Sequence, residues 1–119
     1  MKLRIRRERA EYFYYPDCMV CCGPSDQTRT YRENPVVLGE VLSPSTERTD
    51  RIEKFDAYTS IASLQEYVLL AQDQQRLEIY RRINAWRREI VAGAPGSTIR
   101  LDSIGFEMPL ASLYRRVSL

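Results

Sequence analysis

At 119 residues the chain suits a single domain, residues 1–119, that buries roughly two-thirds of its surface, and 44% apolar with 29% charged residues is ordinary for a soluble globular protein. A formal net charge of +2 is too small to argue for nucleic acid by itself, and the absence of histidine excludes Ser-His-Asp and Cys-His catalysis, imidazole zinc sites and any histidine general base. No apolar run approaches the roughly 18 residues of a membrane span, and the basic start Met1 to Arg9 is not followed by a signal-type apolar core, which reads as cytoplasmic.

Lys2 to Arg6 alternates charged and apolar residues and predicts a strand with one wet face. Residues 1–11 hold five positive and two negative charges, a cluster that suits either a phosphate backbone or a solvated face. Tyr12 to Cys22 is rich in aromatic and small apolar residues, and Pro16 marks a strand start or edge because it cannot donate to a ladder. Cys18, Cys21 and Cys22 do not converge on one metal in an extended strand and read as small buried strand residues in a reducing compartment. Gly23-Pro24-Ser25-Asp26 is loop chemistry, continued by the polar stretch to Asn34.

Pro35 to Leu42 is the most hydrophobic run and predicts a central strand buried on both faces. An ionised Glu40 there is costly unless paired or metal-bound. Ser43-Pro44-Ser45-Thr46 breaks the strand, and Asp50 with Glu53 resembles a capping box opening a helix to about Ile61. Ile52, Phe55, Tyr58, Thr59 and Ala62 share one apolar arc of that helix, with Lys54 about 100° away beside Tyr58. Tyr58 stands one turn after Lys54 on the same face, and core packing accounts for it. Glu66 to Leu70 and Arg76 to Arg81 predict strands joined by a turn at Asp73-Gln74-Gln75. Asn84 to Val91 suits strand or helix, and Gly93 to Gly96 a loop. Residues 76–90 repeat the balance of five positive and two negative charges, and Trp86 with Arg87 and Arg88 reads as a packed ring beside solvated arginines or as a stacking platform for bases. Thr98–Leu101 and Phe106–Leu110 predict short strands, and Ala111–Arg116 a terminal helix.

The residues with chemistry are Asp17, Glu40 and Lys54. Two carboxylates at strand edges suit a hard divalent cation such as Mg²⁺, whose shell waters and substrate phosphate complete, and a nearby ammonium acts on the same anionic oxygen. The plainer alternative is that Asp17 opens a strand, Glu40 pairs with an arginine and Lys54 is solvated. Among 16 arginines the chain has only two lysines, and a compact ammonium is the better point charge for a single oxygen.

Tyr15-Pro16-Asp17-Cys18, the string Asn34 to Thr46 with its Glu40-Val41-Leu42-Ser43-Pro44-Ser45-Thr46, Asp50 to Tyr58, Ser63 to Leu70 and Leu113 to Val117 occur in an order and spacing that resembles a known family. It is the bacterial "putative restriction endonuclease" family (the Uma-two group) of the PD-(D/E)XK nuclease superfamily. The resemblance implies an α/β, restriction-endonuclease-like core, a mixed central β-sheet flanked by helices. It implies Mg²⁺ or Mn²⁺ held by Asp17, Glu40 and the Val41 carbonyl. The superfamily's lysine two residues after the glutamate is replaced here by Leu42, and the family's helix lysine matches Lys54. The activity so implied is metal-dependent hydrolysis of DNA phosphodiesters. Family members usually begin with a further helix and strand that add an acidic residue, so the chain is expected to be N-terminally shortened, or completed by a partner, or to start late. Open sheet edges would then favour a homodimer or higher homo-oligomer. The alternative is a catalytically inactive nuclease-fold subunit that binds DNA or protein.

Overall fold

The computed structural model describes residues 2–7, 10–21, 31–43, 50–92 and 96–116. In chain order the strands are β1 (Lys2–Arg7), β2 (Ala10–Tyr14), β3 (Cys18–Cys21), β4 (Tyr31–Arg32) and β5 (Pro35–Leu42), then β6 (Glu66–Ala71), β7 (Arg76–Arg81), β8 (Arg88–Ala92), β9 (Thr98–Leu101) and β10 (Phe106–Pro109). A π-helical turn, Asp50–Lys54, runs directly into α1 (Phe55–Thr59), and α2 (Leu110–Arg116) follows β10. The expected loops at 23–30, 44–49 and 93–95, together with Cys22, lie outside the described residues.

Five strands form the central sheet in the order β3-β5-β6-β7-β8. β5 and β6 are parallel and the other neighbours antiparallel, so the sheet is mixed. A parallel pair needs a crossover; here the π turn and α1 lie on it, which sets Lys54 over one sheet face. Period-two alternation divides the core. Leu38, Leu42, Tyr67 and Leu69 pack with Ala57, Tyr58, Ile61 and Leu64 of the crossover and with Leu3 and Ile5 of β1. On the opposite face Val37, Val68, Leu70, Leu77 and Ile79 meet Ile99, Leu101, Leu110 and Tyr114. Thus α1 and the β2-β1-β4 sheet cover one side, and the β9–β10 hairpin with α2 the other.

Polar groups tie these layers together. Buried Glu66 accepts from the Arg81 guanidinium, from the Ser103 N–H at 3.1 Å and from its hydroxyl. Arg81 also donates to Glu89 at 3.0 Å and to the Arg100 carbonyl at 2.7 Å. On α2, the Tyr114 hydroxyl lies 2.8 and 2.7 Å from the Ala71 and Arg76 carbonyl oxygens, closing the turn between β6 and β7.

Three expectations need correction. Ile52 is 65% exposed, because its turn closes i to i+5 bonds and falls out of the 3.6-residue phase that set the apolar arc. Cys18 and Cys21 are exposed, since β3 is the open edge of the sheet. Pro16 interrupts the aromatic stretch as expected: β2 ends at Tyr14 and β3 begins at Cys18, in different sheets. Within the expected polar loop, Tyr31–Arg32 pairs in parallel with β1. The ambiguous stretch 84–91 ends a 3₁₀ turn, Arg82–Asn84, and forms β8.

Candidate functional site

Glu40 shares the face of Leu38 and Leu42 and is only 3% exposed. β3 and β5 pair antiparallel with Cys18 opposite Gly39, so one further step of that register sets Asp17 opposite Glu40. A Cβ on Gly39 would stand 3.3 Å from the Cys18 Cβ. Glycine therefore lets the strands approach as closely as they do. Asp17 is then pinned where β5 passes it, its Oδ2 accepting the Val41 N–H at 2.8 Å.

Lys54 and Tyr58 approach Glu40 from the crossover. The Lys54 Nζ stands 3.6 Å from Glu40 Oε2, and the Tyr58 hydroxyl donates to Oε1 at 2.8 Å. Lys54 ends the π turn, and its spacing of four from Tyr58 puts both on one helix face. Leu42, two residues beyond Glu40 on the same face, is buried in the core. Tyr58 is fully buried and edge-packed on Tyr14 and Tyr67. The core role read from the sequence is real, but so is a polar role that spacing alone did not reveal.

Burial pushes the Glu40 carboxyl from its ordinary 4.5 up to about 7; the Tyr58 hydrogen bond and the Lys54 charge oppose this, and Asp17 adds to it. Burial, then the Glu40 charge, pushes the Tyr58 hydroxyl far upward, so it remains a donor. A carboxyl raised on folding binds more protons in the native state, so its contribution is complete below 4.5 and lost as pH rises through 7. Metal-free protein should lose about 3 kcal/mol of stability across that window, since each pH unit between the two values is worth about 1.36 kcal/mol. Urea unfolding in EDTA at several pH values checks this. Glu40→Gln should flatten the profile, and an unchanged slope would contradict the assignment.

A second buried carboxylate, which no local pattern in the sequence marks out, stands in the same row of the sheet. Glu40 pairs with Leu69, Leu69 with Glu78 and Glu78 with Ile90. At about 4.8 Å per strand, Glu78 is about 10 Å from Glu40 on the same face. Arg51 of the π turn grips it with both guanidinium nitrogens, one at 3.0 Å. Arg76 and Arg88 reach it at 3.8 and 3.6 Å. Burial alone would raise the Glu78 carboxyl, but the hydrogen bond and charge of Arg51, with Tyr80 and Arg76, hold it below its ordinary value. The sequence Leu77-Glu78-Ile79 hid this residue, because such alternation also describes a strand with a wet face. Trp86 packs half-buried against the core with the Arg82 guanidinium 5.0 Å from its ring centroid. Arg87 beside it is exposed.

The mixed sheet, with its crossover over a buried carboxylate, has a fold that recurs in a solved structure. It is similar to the crystal structure of a "putative nuclease belonging to DUF820" from Anabaena variabilis, with a TM-score of 0.58 and 18% identity over 71% of this chain and 46% of that one. The chain belongs to the Uma2 family, described as "Putative restriction endonuclease", whose model matches residues 1–111. Two relatives from Synechocystis sp. are the uncharacterized proteins slr1290 and sll1609. The first is 31% identical over 95% of this chain, the second 34% over 68%. The matches span 60% and 48% of those proteins' lengths.

Proposed function

We propose that the chain is a metal-dependent DNA endonuclease with a PD-(D/E)XK-type site formed by Asp17, Glu40 and Lys54. The observation that carries this reading is Glu40, a buried carboxylate held between the Tyr58 hydroxyl and the Lys54 ammonium with Asp17 on the neighbouring strand. The donor set fits a hard divalent cation: two carboxylates, with the Val41 carbonyl as a backbone ligand, are all oxygen. A buried carboxyl raised to about 7 is also a group whose charge a bound Mg²⁺ or Mn²⁺ would stabilise. When bound, the cation supplies Lewis acidity at the phosphate and lowers the pKa of its water.

The protein's own groups position and stabilise. Tyr58 fixes the Glu40 rotamer through a hydrogen bond inside the core. The Val41 N–H fixes one Asp17 oxygen, which holds that carboxyl beside Glu40. Lys54 offers a partly exposed ammonium on a stem packed over the sheet, suited to the charge that develops on a phosphate oxygen.

DNA cleavage with and without Mg²⁺, by the parental protein and by Lys54→Ala, tests the assignment. Lys54→Ala should lower turnover by about 10²–10³-fold while Mn²⁺ affinity by calorimetry stays close to parental. Lost metal affinity would contradict its role. Parental protein that binds DNA but ignores Mg²⁺ would leave the fold as a DNA-binding subunit.

A further inference from the structure

The tip of the β7–β8 hairpin is fastened on its inner side and offers its outer side to solvent. Its 3₁₀ turn, Arg82–Asn84, is followed by Ala85 at φ 55° and Trp86 at φ 61°, the non-glycine residues at positive φ among the described residues. Left-handed backbone is costly for a residue as bulky as tryptophan and persists only where the surroundings over-determine it. Here they do. The Arg82 guanidinium donates to the Leu64 and Ile61 carbonyl oxygens at 2.7 Å each, and its backbone N–H donates to the Gln65 carbonyl at 2.9 Å. It also lies over the Trp86 ring, which packs into the cluster beneath the crossover. That packing sets the tip on the sheet face of Glu40 and Lys54.

What the clamp presents is an apolar side chain among positive charges. Ile83 is 89% exposed, and from Arg82 to Arg88 there are three arginines and no acidic residue. Arg82 faces carbonyl oxygens, which leave its charge uncancelled. Arg87 is exposed and makes no ion pair among the described residues. Arg88 reaches Glu78 at 3.6 Å, a carboxylate that Arg51 already grips. Glu89, next in the chain, is taken up by Arg81 at 3.0 Å. Setting Arg81, Arg82, Arg87 and Arg88 against the carboxylates they pair with, Glu66, Glu78 and Glu89, still leaves one positive charge.

We infer that this tip is a DNA-contact element, with Ile83 wedged at a base step from the minor groove and Arg87 on a flanking phosphate. The inference rests on the nuclease reading above and adds a contact remote from the metal site. A branched aliphatic side chain is suited to partial insertion between bases, and arginines beside it hold the backbone without reading sequence. The clamp matters because a mobile wedge would yield before the base stack did. Glu40, Leu69 and Glu78 form one cross-strand row, and Arg81 lies three residues beyond Glu78. The tip therefore stands roughly 15–20 Å from Glu40. At about 3.4 Å per base pair that is about five base pairs, within reach of one bound duplex.

The test is binding and bending of a short duplex, end-labelled for energy transfer, by the full chain in EDTA between about 50 and 200 mM KCl. Arg87→Gln should reduce the slope of log affinity against log salt by about 1 and keep the bend. Ile83→Ala should keep the parental slope, weaken binding roughly tenfold and lose the bend, which Ile83→Leu should restore. Both side chains are exposed, so urea unfolding of each variant should match the parent. A parental slope for Arg87→Gln, a parental bend for Ile83→Ala, or a duplex that the parental protein leaves straight overturns the inference. So does an Ile83→Ala variant that changes the sedimentation of the DNA-free protein but not its DNA affinity, since Ile83 would then join copies of the chain. The two readings fail separately. Cleavage that survives Glu40→Gln, with a bend that needs Ile83, overturns the catalytic assignment and leaves the tip standing. Cleavage lost in Glu40→Gln, with a straight duplex, overturns the tip alone.

Discussion

Glu40→Gln is expected to abolish Mg²⁺-dependent DNA cleavage, by roughly 10³-fold or more, while the protein remains folded. Glutamine keeps the shape and the oxygen that accepts from Tyr58, so packing on that face survives. What goes is the charge. With Asp17 as the remaining carboxylate of the pair, a divalent cation loses half of its anionic donors, and Mn²⁺ binding should vanish from the calorimetric trace. A 10³-fold loss is about 4 kcal/mol of transition-state stabilisation, consistent with removing the central electrostatic element of a site. The variant should also be more stable than the parent in EDTA at pH 8, since the parent there carries an ionised carboxylate in its core. Cleavage at the parental rate would sink the assignment. Lost cleavage together with lost stability would mean that Glu40 serves the fold instead.

Glu66→Ala is expected to destabilise the protein by about 3–5 kcal/mol, the range for breaking a buried ion pair by removing one partner. Arg81 would remain buried with Glu89 as its paired carboxylate and Asp102 as a further negative charge nearby, and the Ser103 N–H and hydroxyl would lose their acceptor. These bonds hold the 3₁₀ turn Asp102–Ile104 and the β9–β10 hairpin on the sheet face opposite Glu40, so the layer should loosen as a unit. Chemical denaturation would show the loss, and Glu66→Gln should show less of it because the amide oxygen still accepts. A loss below about 1 kcal/mol would mean that apolar packing of Ile99 and Leu101 suffices.

The strands were legible because their burial follows a local period. Pro35 to Leu42, Glu66 to Leu70, Arg76 to Arg81 and Thr98 to Leu101 all carry alternating or continuous apolar patterns, and each forms a strand. The helix before Ile61 was legible in existence but not in phase, which is why Ile52 turned outward. The burial expected of Cys18 and Cys21 failed for another reason: strand chemistry is local, whereas a strand's place at the centre or edge of a sheet is set by pairing with distant segments. Of the candidate site, Asp17, Glu40 and Lys54 came from the pattern of Pro16-Asp17, the central strand and the following helix. The structure sets Lys54 beside Glu40 and ties Asp17 to Val41.

By itself, then, the sequence determined most of the strands and the family, since composition, periodicity and motif are properties of neighbouring positions. Only the tertiary structure decided that Tyr58 donates to Glu40, that Arg51 is committed to Glu78, and that both carboxylates share one row under one helical turn. Those contacts join residues 18 and 27 positions apart. They depend on strand register and on the path of the crossover, which no local pattern encodes.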